Sequence, residues 1–317
     1  MHLLVQKVLA SLQNIGPHIL LSLAALVLIL LAEIVFLGYR RSSVHHLAHA
    51  DASGRRDLLS FVLDVTGVLR ILGHVVTLGL AYLIGIFVNR ALNLNLTAAL
   101  PNPVIQVAFW IFVKSFLDYW MHRFMHKVPM LWAIHKYHHS AAEFHVVTAH
   151  RESILVAPWS SLYFALPLGI IGTPTSVFIA VAFLIEAHAL LVHSQFKFSW
   201  GRLGDLVLIS PQAHRVHHSL DQRHWGRNYG FMFSFWDHVF GTYYGDELPA
   251  EINIGVVGTP YNEVSWVREM AYSIKACGAE FMNVMHGRPS DMASETSPTA
   301  QGLQAALAEE QELKVSP

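Results

Sequence analysis

Histidines in three short clusters dominate the chemistry that this chain could perform. The clusters read HRFMH at 122–126, HKYHH at 135–139 and HRVHH at 214–218. Offsets of three and four residues place side chains on one face of a helix. Buried imidazoles gathered without a metal would leave polar groups unpaired and would repel one another when protonated. The pattern therefore predicts metal binding by His122, His126, His135, His138, His139, His214, His217 and His218.

The available ligand types restrict the metal and its use. The single cysteine, Cys277, excludes an internal disulfide framework and a thiolate metal site. Imidazole suits iron, zinc, copper or nickel, but structural zinc needs only four ligands in a closed site. Eight imidazoles therefore favour two metal ions with open positions. Two redox-active irons near a membrane surface could activate dioxygen against an unreactive C–H bond of a lipid.

The composition predicts a membrane protein. Mean hydropathy is +0.40 and only 14% of residues are charged. The formal net charge is −1, so nothing suggests a nucleic-acid partner and we expect none. A membrane-spanning helix needs about 20 apolar residues. Stretches of suitable length and composition occupy residues 17–38, 61–88, 98–117, 154–171 and 174–193.

The basic residues predict how these spans are oriented. Arg40, Arg41, Arg55 and Arg56 follow the first span, and basic loops favour the cytoplasm. Counting spans from there places all three histidine clusters on the cytoplasmic side. We therefore expect an all-α, integral membrane helical bundle with a cytoplasmic histidine-rich helical cap that holds a di-metal site. Its expected parts are N-terminal membrane helices (1–97), a catalytic domain with further membrane helices (98–285) and a polar, disordered tail (286–317).

The residues around the clusters resemble those of a known family. An HxxxH box followed by two HxxHH boxes is the pattern of the fatty acid hydroxylase/sterol desaturase superfamily of membrane di-iron oxygenases. Its flanking motifs resemble DYWMHR at 118–123, a T-x-x-R stretch at 148–151, HSQ at 193–195, SPQAHRVHH at 210–218, NYG at 228–230 and WDHVFGT at 236–242. The resemblance covers about residues 100–245.

Further site residues are implied by this resemblance. The family carries one or two more histidine ligands between its second and third boxes, and His193 and His188 are the candidates. Asp118, Arg151 and Asp237 are expected to support the ligands, Asp118 by accepting a hydrogen bond from an imidazole one turn later. His145 and His150 remain open as ligands, as supporting groups or as residues that line a substrate channel.

The resemblance implies an O2-dependent di-iron hydroxylase or desaturase that acts on a C–H bond of a sterol, acyl chain or related membrane lipid. Its cofactors would be two Fe ions, with zinc as a substitute after overexpression. Electrons would come from a separate carrier, cytochrome b5 or ferredoxin, with an NAD(P)H reductase. Two alternatives stay open: a hydroxylase of a lipid head group or carotenoid ring, and a membrane metal-binding or transport protein.

Overall fold

The computed structural model describes residues 2–69, 84, 87–88, 90–91, 97, 99–156, 174–245 and 251–289, with side chains from residue 20 onward. Its α-helices are α1 (His2–Leu37), α2 (Ser43–Ala48), α3 (Ala52–Val65), α4 (Pro103–Lys127), α5 (Pro129–His139), α6 (Thr175–Val192), α7 (Arg202–Leu206), α8 (Pro211–His217), α9 (Phe235–Val239) and α10 (Trp266–Met285). Short 3₁₀ helices are Tyr39–Arg41, Val146–His150 and Gln222–His224. Within these residues, β-structure is limited to two isolated bridges, so the described part of the chain is helical as expected.

Among the described residues, two helices are long and apolar enough to cross a membrane. They are α1, over Leu20–Leu37, and α4, and only 22% of the apolar window in each is buried. Large apolar side chains such as Phe36 and Val104 are therefore exposed, as expected for contact with lipid. A third apolar helix, α6, is shorter. The predicted spans at 61–88 and 154–171 lie largely outside the described residues.

Local sequence explains why α4 and α5 form a hairpin. Asn102 caps α4 by accepting a hydrogen bond from the Ile105 N–H at 3.0 Å. The helix ends before Pro129, which is the first residue of α5. A proline is tolerated there because an N–H at the first helical position would have no partner within the helix. Val128 between them is extended, the conformation that a following proline favours. The turn packs the second histidine box against the first.

The N-terminal helices are tied to the rest of the fold by buried polar groups. Glu33, the acidic residue within the first predicted span, is fully buried. Its carboxylate accepts hydrogen bonds from the N–H groups of Ser43 and Gln195 at 2.6 and 2.7 Å. At the other side, Arg56 of α3 forms a 3.0 Å ion pair with Glu269 of α10. The first contact ties α1 to the segment beside His193, and the second ties α3 to α10, which packs against α5.

Candidate metal centre

The structure gathers nine histidines into two adjacent groups. The ligand atoms within each group lie within 4.8 Å of one another. The five-histidine group consists of His122, His126, His135, His139 and His217. The four-histidine group consists of His138, His193, His214 and His218. The two groups touch, because the rings of His139 and His218 stack with centroids 4.0 Å apart.

Helix geometry divides each HxxHH box between the groups. Residues i and i+4 are about 40° apart around a helix, whereas i+3 lies about 60° to the other side of i. In the second box, His135 and His139 join the five-histidine group and His138 joins the other. In the third box, His214 and His218 belong to the four-histidine group, whereas His217 belongs to the five-histidine group. Two boxes of the same spacing can therefore serve two metals jointly.

The donor atoms fit metal ions. Nε2 atoms lie 3.1 Å apart in His122 and His135, and 3.0 Å apart in His193 and His214. Ligand atoms on one ion, with bonds of about 2.1 Å, are separated by roughly 3.0–3.5 Å. Within the described part of the chain, several buried ring nitrogens have no hydrogen-bond partner, namely Nε2 of His126, His139 and His217 and both nitrogens of His218. Since buried polar atoms are otherwise paired, one lone pair on each of these neutral rings is available to a metal.

Burial keeps the imidazoles neutral. For the ligands beyond α4, desolvation and then repulsion between neighbouring rings hold the pKa well below its ordinary value; this applies to His135, His138, His139, His214, His217 and His218. For His193, burial lowers the pKa to about 3. A neutral imidazole is the form that binds a metal, so ligands need not lose protons at neutral pH.

Backbone carbonyls orient four of the histidines. In each case Nδ1–H can donate to a main-chain oxygen, which turns the Nε2 lone pair toward the group. The pairs are His122 with Tyr229 (2.9 Å), His217 with Arg227 (2.8 Å), His138 with Arg151 (3.2 Å) and His193 with Ala189 (2.8 Å). Sequence reasoning missed Tyr229 and Arg227 as supporting residues, because a carbonyl group leaves no mark on residue type.

Asp237 acts on the centre through the NYG motif. Its carboxylate accepts hydrogen bonds from the N–H groups of Tyr229 and Gly230 at 2.8 and 2.7 Å, and burial raises its pKa to about 6. The Tyr229 carbonyl in turn orients His122. A Cβ atom on Gly230 would lie 2.4 Å from the Phe233 oxygen and 2.7 Å from Asp237, which explains the glycine. Asp237 is thus a positioning residue in this structure.

Arg151 is fully buried and crosslinks three segments. Its guanidinium pairs with Asp57 of α3 at 2.8 Å and donates to the Tyr137 carbonyl of α5 and to Asn262 at 3.1 and 2.6 Å. Its own carbonyl accepts from His138. Asp57 and Asn262 were not expected from the sequence, because both are distant from Arg151 along the chain and no residue spacing links them.

Besides Arg151 and Asp237, four predicted residues lie outside the two groups, namely Asp118, His145, His150 and His188. His188 donates from Nε2 to the Ile209 carbonyl at 3.2 Å, and its ring contacts Trp200. Asp118 forms an ion pair with Lys114, one turn earlier on α4. His145 Nδ1 lies 3.1 Å from Asp57 Oδ2.

His150 belongs to a separate buried ion cluster. Its Nδ1 lies 2.7 Å from Asp64 and its Nε2 lies 2.9 Å from Glu186. Burial alone lowers the pKa of His150, but these two carboxylates outweigh it and raise the pKa to about 10. Both ring nitrogens of His150 thus face carboxylates and not the two histidine groups.

The comparisons with known proteins cover the segment that holds both histidine groups. Residues 107–242, which include all nine histidines, match the family model described as fatty acid hydroxylase. This match over residues 107–242, with the similar proteins below, confirms the resemblance recognised in the motifs. No solved structure matches it.

Several curated proteins are similar to this segment. The ornithine lipid hydroxylase OlsE of Rhizobium tropici is 29% identical over 153 residues, covering 48% of this chain and 46% of that protein. Alkylglycerol monooxygenase of Homo sapiens is 32% identical over 139 residues, which cover 42% of this chain and 31% of that protein. Methylsterol monooxygenase erg25A of Aspergillus fumigatus is 31% identical over 174 residues, which cover 48% of this chain and 53% of that protein. The chain thus spans about a third to a half of the length of these relatives.

Proposed function

We propose that this chain is a membrane-bound, O2-dependent di-iron oxidoreductase that hydroxylates or desaturates a C–H bond of a membrane lipid. The observation that carries the proposal is the pair of adjacent, buried histidine groups within the segment that matches the family. Two iron ions held there would supply the activation of dioxygen that oxidation of an unreactive C–H bond requires.

The chain's own residues would supply orientation and a dry environment. Carbonyl groups hold the imidazoles in place, and burial keeps them neutral. Aromatic side chains wall both groups: Trp132 lies 5.0 Å from the ring of His126, and Phe144 lies 4.8 Å from that of His218. Exclusion of water by such walls protects a reactive site from side reactions.

The substrate class rests on the relatives. Their names specify an ornithine lipid, an alkylglycerol and a methylsterol, all of which are lipids. We therefore propose a membrane lipid as the substrate. Metal transport is less well supported, because a transport site is expected near the middle of broken spanning helices, whereas both groups lie at helix ends.

Labelled oxygen provides the direct test. Lipid extracts from cells that express the wild-type chain or His139→Ala would be compared by mass spectrometry after growth under ¹⁸O2. A hydroxylase predicts a lipid that gains one ¹⁸O atom only in wild-type cells, and a desaturase predicts loss of two hydrogens. Identical extracts, with iron present in the purified wild-type protein, would contradict the proposal.

The proposed arrangement also has a sidedness. Residues 98–285 would form the catalytic domain behind the N-terminal membrane helices of 1–97, with both metal groups in the cytoplasm, where a separate electron carrier such as cytochrome b5 or ferredoxin can reach them. Exposed positions report this best, so single cysteines would replace Arg55 and Arg223 in a Cys277→Ser background. An impermeant thiol reagent should label neither in intact cells and both after lysis. Labelling at Arg223→Cys in intact cells would place the third box outside.

A further inference from the structure

A third cluster of metal-ligand atoms lies outside the two histidine groups. It consists of His46 on α2, Glu143 after α5 and His145, with one ligand atom of each within 4.8 Å of the others. His46 Nδ1 lies 3.1 Å from the Glu143 carboxylate, and His145 Nε2 lies 3.7 Å from it. The second distance is too long for a hydrogen bond, but both are close to the roughly 3.0–3.5 Å that separates ligand atoms on one ion.

A buried carboxylate prepares His145 for this role. Its Nδ1 lies 3.1 Å from Asp57 Oδ2, and Asp57 is fully buried and also pairs with Arg151. The imidazole therefore donates its Nδ1 proton to Asp57, and the Nε2 lone pair points toward Glu143. Metal-ligating histidines are commonly fixed by a carboxylate in this way.

The cluster opens to solvent on one side only. The His145 side chain is 4% exposed, whereas those of His46 and Glu143 are 30% and 48% exposed. Gln195 steadies the carboxylate by donating from Nε2 to Glu143 Oε1 at 3.1 Å. An ion can thus enter from water and keep water at its remaining positions.

We propose that His46, Glu143 and His145 bind a third divalent transition-metal ion, for which zinc is the best match. Two imidazoles and one carboxylate form a donor set that zinc accepts, with a further position left for water. None of the three residues belongs to the five-histidine or the four-histidine group, so this site would use no ligand of the proposed oxygenase centre.

The ion would have a structural consequence for that centre. It would join α2 to the segment that follows the second histidine box. Phe144 stands between two of the ligands, and its ring contacts His193 and His218 with centroids 4.9 and 4.8 Å apart. A bound ion would therefore anchor one wall of the four-histidine group.

Zinc binding to the iron-loaded, full-length protein in detergent tests the proposal. Equilibrium dialysis against buffered Zn²⁺ would be followed by metal analysis of zinc and iron in the same sample, so exchange at the iron sites is detected directly. We expect about one zinc per chain beyond the iron, and at least about tenfold weaker zinc binding in His46→Ala and Glu143→Gln. His49→Ala removes an exposed imidazole just after α2 that is not part of the cluster, and it should bind zinc like the wild type.

Thermal unfolding gives a second readout. An ion that binds only the folded state raises the melting temperature, so zinc should raise it in the wild type and His49→Ala but not in His46→Ala or Glu143→Gln. The proposal is overturned if the wild type takes up no zinc beyond its iron sites, or if both ligand variants bind it as tightly as the wild type. Either result leaves the iron content, and hence the proposed function, untouched.

Discussion

The five-histidine group and the four-histidine group differ in where their ligands come from. All five ligands of the first lie in the three boxes, on α4, α5 and α8. The second takes three ligands from the boxes, and its fourth, His193, from the residue that follows α6. The first group thus depends on three helix faces, whereas the second also requires that α6 end at the right place.

This difference has a chemical consequence for the proposed centre. An ion held by the four-histidine group would have one protein nitrogen fewer, which would leave more room for a small ligand. Catalytic metal sites keep such open positions, whereas closed ones serve structure. We expect the four-histidine group to be the more reactive and the more easily emptied of the two.

The largest effect is expected where the two groups touch. His139→Ala and His218→Ala each remove a ligand at the stacked pair, and we expect turnover to fall below detection while membrane insertion is retained. His138→Ala and His217→Ala should behave alike, whereas His45→Ala, outside both groups, should match the wild type. Product formation per chain in membranes of equal protein content measures this. Full activity of either stacked-pair variant would refute the assignment of ligands.

A matched pair of variants tests the difference between the groups. His126→Ala leaves four imidazoles in its group, but His193→Ala leaves three. After anaerobic purification we expect about two irons per chain in the wild type, as in a two-metal site, nearly two in His126→Ala and about one in His193→Ala. Equal iron loss in the two variants would remove the proposed asymmetry.

A smaller effect is expected from the support of the five-histidine group. Asp237→Asn keeps the shape of the side chain, but the new amide cannot accept from both backbone N–H groups, which loosens the carbonyl that orients His122. Loss of such support typically reduces metal affinity or activity about 10- to 100-fold. Chelator competition would measure the affinity, and the change should be confined to one of the two irons. A uniform loss of both irons with a lowered melting temperature would indicate general unfolding instead.

The smallest effect on the proposed centre is expected from His150, which bears on the pH dependence of stability. Because the folded pKa of His150 is raised to about 10, its ion pairs stabilise the fold fully below the unfolded pKa of about 6.5, and this stabilisation is lost as pH rises toward 10. The free energy of unfolding should fall by at most about 1.4 kcal/mol per pH unit in this window. Unfolding curves of His150→Gln should show a shallower dependence than the wild type. Parallel curves would mean that His150 is neutral in the folded protein.

The sequence by itself determined the helical faces of this protein and the identity of most of its candidate ligands. Spacings of three and four residues are typical of one face of a helix. Pro129 and Ser210 mark the starts of α5 and α8, and the Ser210 hydroxyl caps α8 by accepting a hydrogen bond from the Ala213 N–H at 3.1 Å. The family motifs followed from the same residues, and the comparisons confirmed the family. These features depend on near neighbours in the chain.

Only the tertiary structure decided how the ligands divide between the two groups. Residues i+3 and i+4 of one box diverge around the helix, and which metal each one faces depends on the helix opposite. Packing also brings His193 into the centre while His188, five residues earlier, pairs with a carbonyl. The same is true of Asp57, which reaches Arg151 and His145 from a distant helix. Contacts between remote segments, and hydrogen bonds to backbone carbonyls, have no signature in the spacing of residue types.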